Sequence, residues 1–78
     1  NWNRRYRENM EKLKSGDIMK VAEVVRNLMR ADRKKGLSSG ERKLLANARQ
    51  ILVSEMMLAA DITQIEAEKV IQEAVELG

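Results

Sequence analysis

No proline occurs anywhere in the 78 residues, so helix is permitted throughout the chain and its limits must be set by caps and glycines. Those signals are few and well separated. Ser15-Gly16-Asp17, Lys35-Gly36 and two Ser/Thr-x-x-Glu boxes, Ser38 to Glu41 and Thr63 to Glu66, divide the sequence into four stretches. In such a box the hydroxyl accepts a hydrogen bond from the third helical amide while the carboxylate reaches back to the cap amide. Gly16 suits a left-handed C-terminal cap, and Asp17 can accept from the N–H groups that open the next helix.

Between these stops the apolar residues recur at helical spacing. Trp2, Tyr6, Met10 and Leu13 form one stripe of a first helix that ends at Lys14. Ile18, Val21, Ala22, Val25, Leu28 and Met29 line one side of a second, with Glu23, Arg26, Arg30 and Arg33 facing outward. Leu44, Leu45, Ala48, Ile51, Leu52, Met56 and Ala59 give the third helix its inner face and make it long enough to be the central one, while Met57 and Leu58 widen its apolar surface. Ala67, Val70, Ile71, Ala74 and Val75 face inward on the fourth. The expectation is an all-α fold, a compact bundle of four main helices with room for one extra short helix, forming a single domain over residues 1–78. No tandem repeat, low-complexity tract or flexible linker breaks the pattern.

Cysteine and histidine are both absent, which removes thiolate and imidazole chemistry and the usual zinc ligands. No catalytic residue, metal or cofactor is expected, and Glu55 among apolar neighbours reads as a bundle-edge or paired carboxylate rather than a general base. The longest apolar run, Met56 to Ala60, is far short of the roughly 20 residues a membrane span requires, so no membrane partner is expected. A start at Asn1 rather than Met suggests an excised piece of a longer protein. With no long heptad seam, the expected state is a monomer.

Charge is unevenly distributed. Residues 1–50 hold 14 Lys and Arg against six Asp and Glu, a net of +8, whereas residues 51–78 hold only Lys69 against six acids, a net of −5. Such a split suits a surface that meets a polyanion on one side. Trp2 and Tyr6 fall in the first six positions beside Arg4, Arg5 and Arg7. Tyr6 reads as a core ring, whereas Trp2, at the outer end of its stripe, is a candidate wedge or stacking platform of the kind that enters a DNA minor groove beside phosphate-bound arginines. A second basic group comprises Arg30, Arg33, Lys34 and Lys35, followed by Arg42, Lys43 and Arg49. The cations at the end of helix 2 also favour its dipole. At the start of helix 3 the amides of Ser38, Ser39 and Gly40, with Arg42 and Lys43 one turn in, form a serviceable phosphate seat.

Two other readings use the same residues. A helix-turn-helix would place helix 2, the Lys35-Gly36-Leu37 turn and helix 3 on DNA, with helix 3 in the major groove. A protein-interaction module would instead present Met56, Met57, Leu58 and the acidic last helix to a partner.

The segments Asn1-Trp2-Asn3-Arg4-Arg5-Tyr6-Arg7, Glu11 to Asp17 and Lys20 to Leu28, followed by Gly36 to Leu45 and Ala48 to Glu55, closely resemble the C-terminal domain of the CarD/CdnL family of bacterial transcription regulators. The resemblance spans residues 1–60 without a gap and is looser over the last helix. It implies a DNA-binding domain that works with RNA polymerase holoenzyme, gripped mainly through a Tudor-like N-terminal domain absent here. It further implies a contact with promoter DNA at the upstream edge of the −10 element. There the tryptophan matching Trp2 wedges into the minor groove and stabilises the open promoter complex. The basic residues matching Arg7 and Arg42 belong to the DNA-facing patch. Arg4, Arg5 and Lys43 join them on physical grounds, as neighbours able to contact phosphates without reading sequence. A bacterial, cytoplasmic, nucleoid-associated location follows from the same resemblance.

Overall fold

The computed structural model describes the backbone of residues 2–77 and the side chains of residues 4–77. Among them the chain forms four helices and no strand: α1 (Trp2–Lys14), α2 (Ile18–Lys35), α3 (Ser39–Ala60) and α4 (Gln64–Leu77). No extra short helix is present among the described residues, and no helix is long and apolar enough to cross a membrane.

The stops act through the expected groups. Gly16 has φ +77°, and Asp17 caps α2 by accepting the Met19 N–H on its carboxylate at 2.9 Å. Gly36 closes α2 by donating its N–H to the Asp32 carbonyl at 3.0 Å, with φ 78° and ψ 167°, a conformation essentially confined to glycine. Both boxes are reciprocal. Ser38 Oγ accepts from the Glu41 N–H at 3.2 Å, and Thr63 Oγ1 accepts from the Glu66 N–H at 3.2 Å. The Thr63 N–H returns a 2.9 Å bond to the Glu66 carboxylate. This backbone bond first, and the Thr63 hydroxyl second, hold the Glu66 pKa below its ordinary value. Asp61, which ends α3, adopts the left-handed conformation at φ 54° without being glycine.

Helices α2 and α3 pack on one another most extensively; α1 lies against both, and α4 covers α3 and part of α2. The centre is thus shared rather than held by α3 alone, and α2 is the more deeply sealed. Its Val21, Val24, Val25 and Leu28 are all at most 2% exposed, and full burial of such side chains stabilises a fold by about 1.5–3 kcal/mol each. Leu37, Leu44, Ala48, Leu52, Val53, Ala67 and Ile71 complete the cluster, with Tyr6, Met10 and Leu13 of α1 packed against it.

Four residues expected to face inward do not. Ile51 and Val70 are 44% and 49% exposed, and Ala59 and Ala74 are exposed as well. At 13 residues α1 is about 20 Å long and cannot cover the full ~33 Å of α3, which leaves Ile51 facing an open recess beside Leu13 and Leu58. Val70 and Ala74 border an apolar groove of about 400 Å³ between α2, α3 and α4, floored by Val25, Leu52 and Ile71. Conversely, Val24 and Val53 are buried without belonging to the expected stripes.

Candidate nucleic-acid interface

The basic start of α1 is fixed to the first turn of α3 by one buried carboxylate. Glu41 has only 3% of its side chain exposed, and its two oxygens are divided between two helices. Oε2 accepts from Arg5 Nη2 at 3.0 Å and Arg5 Nε at 3.3 Å. Oε1 accepts from the Ser38 N–H at 3.4 Å and the Ser38 hydroxyl at 3.3 Å. A sealed carboxylate requires such partners, since an unpaired buried charge costs several kcal/mol. Tyr6 tightens the same joint: its ring edge lies 3.7 Å from where a Cβ on Gly40 would sit.

This joint assigns the expected contact residues different tasks. Arg5 is turned inward onto Glu41. Arg4 is exposed and bridges to Glu8 at 3.5 Å. Arg7 and Lys43 are exposed and form no ion pair among the described residues. Arg42, also exposed, donates from Nε to the Leu37 carbonyl at 3.2 Å, which ties its guanidinium to the α2–α3 turn while using one of its five N–H donors. Trp2 opens α1, and its side chain lies outside the described residues. Arg4 and Arg7 thus stand exposed in the first two turns of α1, and Arg42 and Lys43 in the first turns of α3, the two helix starts that the Arg5–Glu41 bond ties together.

The phosphate seat expected at the α3 N-terminus differs in detail. Glu41 places its own carboxylate there and Arg5 neutralises it, so the positive end of α3 already holds an anion from within the chain. Of the three amides expected to form the seat, that of Ser38 is taken up by Glu41. Legible in the sequence was the box that makes Glu41 a cap; its partnership with Arg5, 36 residues away, left no local signal. Asn9, buried at 4% exposure on α1, was likewise hidden, because a polar residue beside an apolar stripe reads as solvent-facing. Among the described residues no group of acidic side chains is arranged to hold a metal ion.

A small all-α domain with a strongly basic first half is the class that fold and charge define. The chain matches the family model "CarD, C-terminal domain" over residues 1–72 and belongs to that family. Over 63 residues it is 44% identical to a protein of Bacillus subtilis (strain 168) named "Putative transcription factor YdeB". That match covers 81% of this chain and 41% of the relative, so the chain spans about two-fifths of the length of that protein.

Proposed function

We propose that this single helical domain serves transcription regulation by binding promoter DNA. The cations around the Arg5–Glu41 joint contact phosphates, and Trp2 wedges into the minor groove at the upstream edge of the −10 element. The observation that supports the reading is that Arg4, Arg7, Arg42 and Lys43 are exposed on the two helix starts that the Arg5–Glu41 bond ties together. Arg4, Arg7, Arg42 and Lys43 make the phosphate contacts; Arg5 acts mainly by holding α1 in place. RNA polymerase holoenzyme is the second partner, reached through a part of the protein outside this chain, and promoter choice rests with it. The place of action is the bacterial cytoplasm, on the nucleoid, and no reaction is catalysed.

The mechanism is differential binding. A ring that fills the gap between unstacked bases favours melted over closed DNA, where unstacking costs on the order of a few kcal/mol per step. A differential of about 1.4 kcal/mol shifts the closed-to-open equilibrium tenfold. The test compares Trp2→Ala with the unaltered chain, carried in a protein that also engages polymerase. Open-complex lifetime is expected to fall more than bulk DNA affinity, and equal losses would count against a wedge.

A second reading rests on the exposed apolar residues Leu58 and Ile65, 82% and 79% exposed near the α3–α4 corner, which suit a protein partner. Absence of salt-dependent DNA binding would favour it. Strong discrimination between duplex sequences would instead favour a major-groove contact by α3.

A further inference from the structure

The outer face of α2 carries a row of cations that the joint around Glu41 does not use. Arg26, Arg30 and Lys34 follow one another at intervals of four residues, which places them on one stripe of the helix about 6 Å apart along its axis. Arg33 lies beside them. Arg26, Arg33 and Lys34 are exposed and Arg30 is half-buried. Like charges at this spacing destabilise a helix, and the row has no counter-charge of its own. The positions three and four residues from Arg30 are Arg26, Asn27, Arg33 and Lys34. Glu23, one turn before Arg26, is engaged by Lys12 of α1 at 3.2 Å. Arg33 alone is answered, by Glu76 of α4 at 3.4 Å. Among the described residues no carboxylate pairs with Arg26, Arg30 or Lys34.

The helix dipole explains only part of this. Its influence fades within the last turn, which accounts for Lys34 and Lys35, whereas Arg26 and Arg30 lie nine and five residues before the final residue, Lys35. The row ends where α2 passes through Gly36 into the Ser38 cap of α3, the turn to which Arg42 is tied. Its C-terminal end is thereby at the same end of the bundle as Arg42 and Lys43.

We infer that Arg26, Arg30 and Lys34 form a second phosphate-binding row, taking the backbone of duplex DNA that continues past the Arg42–Lys43 contact. This rests on the DNA-binding reading above and adds a surface to it. The row is about 12 Å long from Arg26 to Lys34, and cations that contact phosphates position DNA without reading its bases.

The test measures affinity for a 30-base-pair duplex as a function of salt, using the unaltered chain, the triple variant Arg26→Gln/Arg30→Gln/Lys34→Gln and the double variant Arg42→Gln/Lys43→Gln, each checked for helicity by circular dichroism. Glutamine is a good helix former and the triple variant removes like-charge repulsion, so it is expected to remain folded. Each lost phosphate contact flattens the slope of log affinity against log salt by about 0.9. The triple variant is therefore expected to lose about 2.7 from the slope, which means ~40-fold less sensitivity between 50 and 200 mM salt. A triple variant with the slope of the unaltered chain, beside a double variant that loses about 1.8, overturns the second row and leaves the first site standing. Salt-independent non-binding by the unaltered chain overturns both.

Discussion

Single residues show how little separates a required glycine from a dispensable one. A Cβ on Gly36 would meet nothing within 4 Å, and one on Gly40 would meet only the Tyr6 ring edge at 3.7 Å, ordinary contact. Space is therefore not what distinguishes them. Gly36 sits at φ 78° and ψ 167°, where an L-residue is strained by about 1–3 kcal/mol, whereas Gly40 lies within the first turn of α3 without a positive φ. Gly36→Ala is expected to lower stability by that amount in urea denaturation. Gly40→Ala is expected to raise it by about 0.5–1 kcal/mol, through better helix propensity and a less disordered unfolded chain. Equal effects of the two would refute this assignment. Gly36 was legible as a helix stop and Gly40 as part of the box that opens α3; the positive φ that makes the first hard to replace was not.

The attachment of α1 to α3 is a matter of elements, and its two charges are not equivalent. Arg5 keeps 41% of its side chain exposed while Glu41 keeps 3%. Removing the carboxylate lets the guanidinium turn to water, whereas removing the guanidinium strands a sealed anion. Arg5→Met is accordingly expected to cost about 2–3 kcal/mol, and Glu41→Gln, which retains shape and part of the cap, about 1 kcal/mol. Denaturation of the two single variants and the double variant checks this; a double variant close to Glu41→Gln alone confirms that Arg5 matters through Glu41. At this scale the helices, their order and most inner faces could be read from the caps and apolar spacing. What escaped has a common cause. A single stripe was assigned to each helix, but α2 touches three neighbours, so its buried arc also takes in Val24, and α4 covers the flank of α3 that holds Val53. Where cover runs out, Ile51 and Val70 are left facing solvent. Inward or outward pointing depends on where a neighbouring helix ends, which periodicity does not encode.

Across the whole molecule the charge split acquires a spatial meaning. The acids of α4 do not simply face solvent: Glu68 reaches Arg49 at 3.8 Å and Glu76 reaches Arg33 at 3.4 Å. The last helix thus pairs with cations on α3 and α2, while among the described residues Arg7, Arg42 and Lys43, with the row on α2, are among the cations in no ion pair. Segregation of charge was visible in the sequence, while the identity of the answered cations was not, since those pairs join residues 43 and 19 positions apart. If this positive surface brings Trp2 to a DNA junction, Trp2, the only tryptophan of the chain, reports on it directly. Its fluorescence would be titrated with a fully paired promoter duplex and with the same DNA opened at the upstream edge of the −10 region, at two salt concentrations. A larger spectral change and tighter binding with the opened DNA, both weakening as salt rises, are the expected result. An unchanged spectrum with either DNA, at salt concentrations where binding is shown by an independent signal, would contradict it.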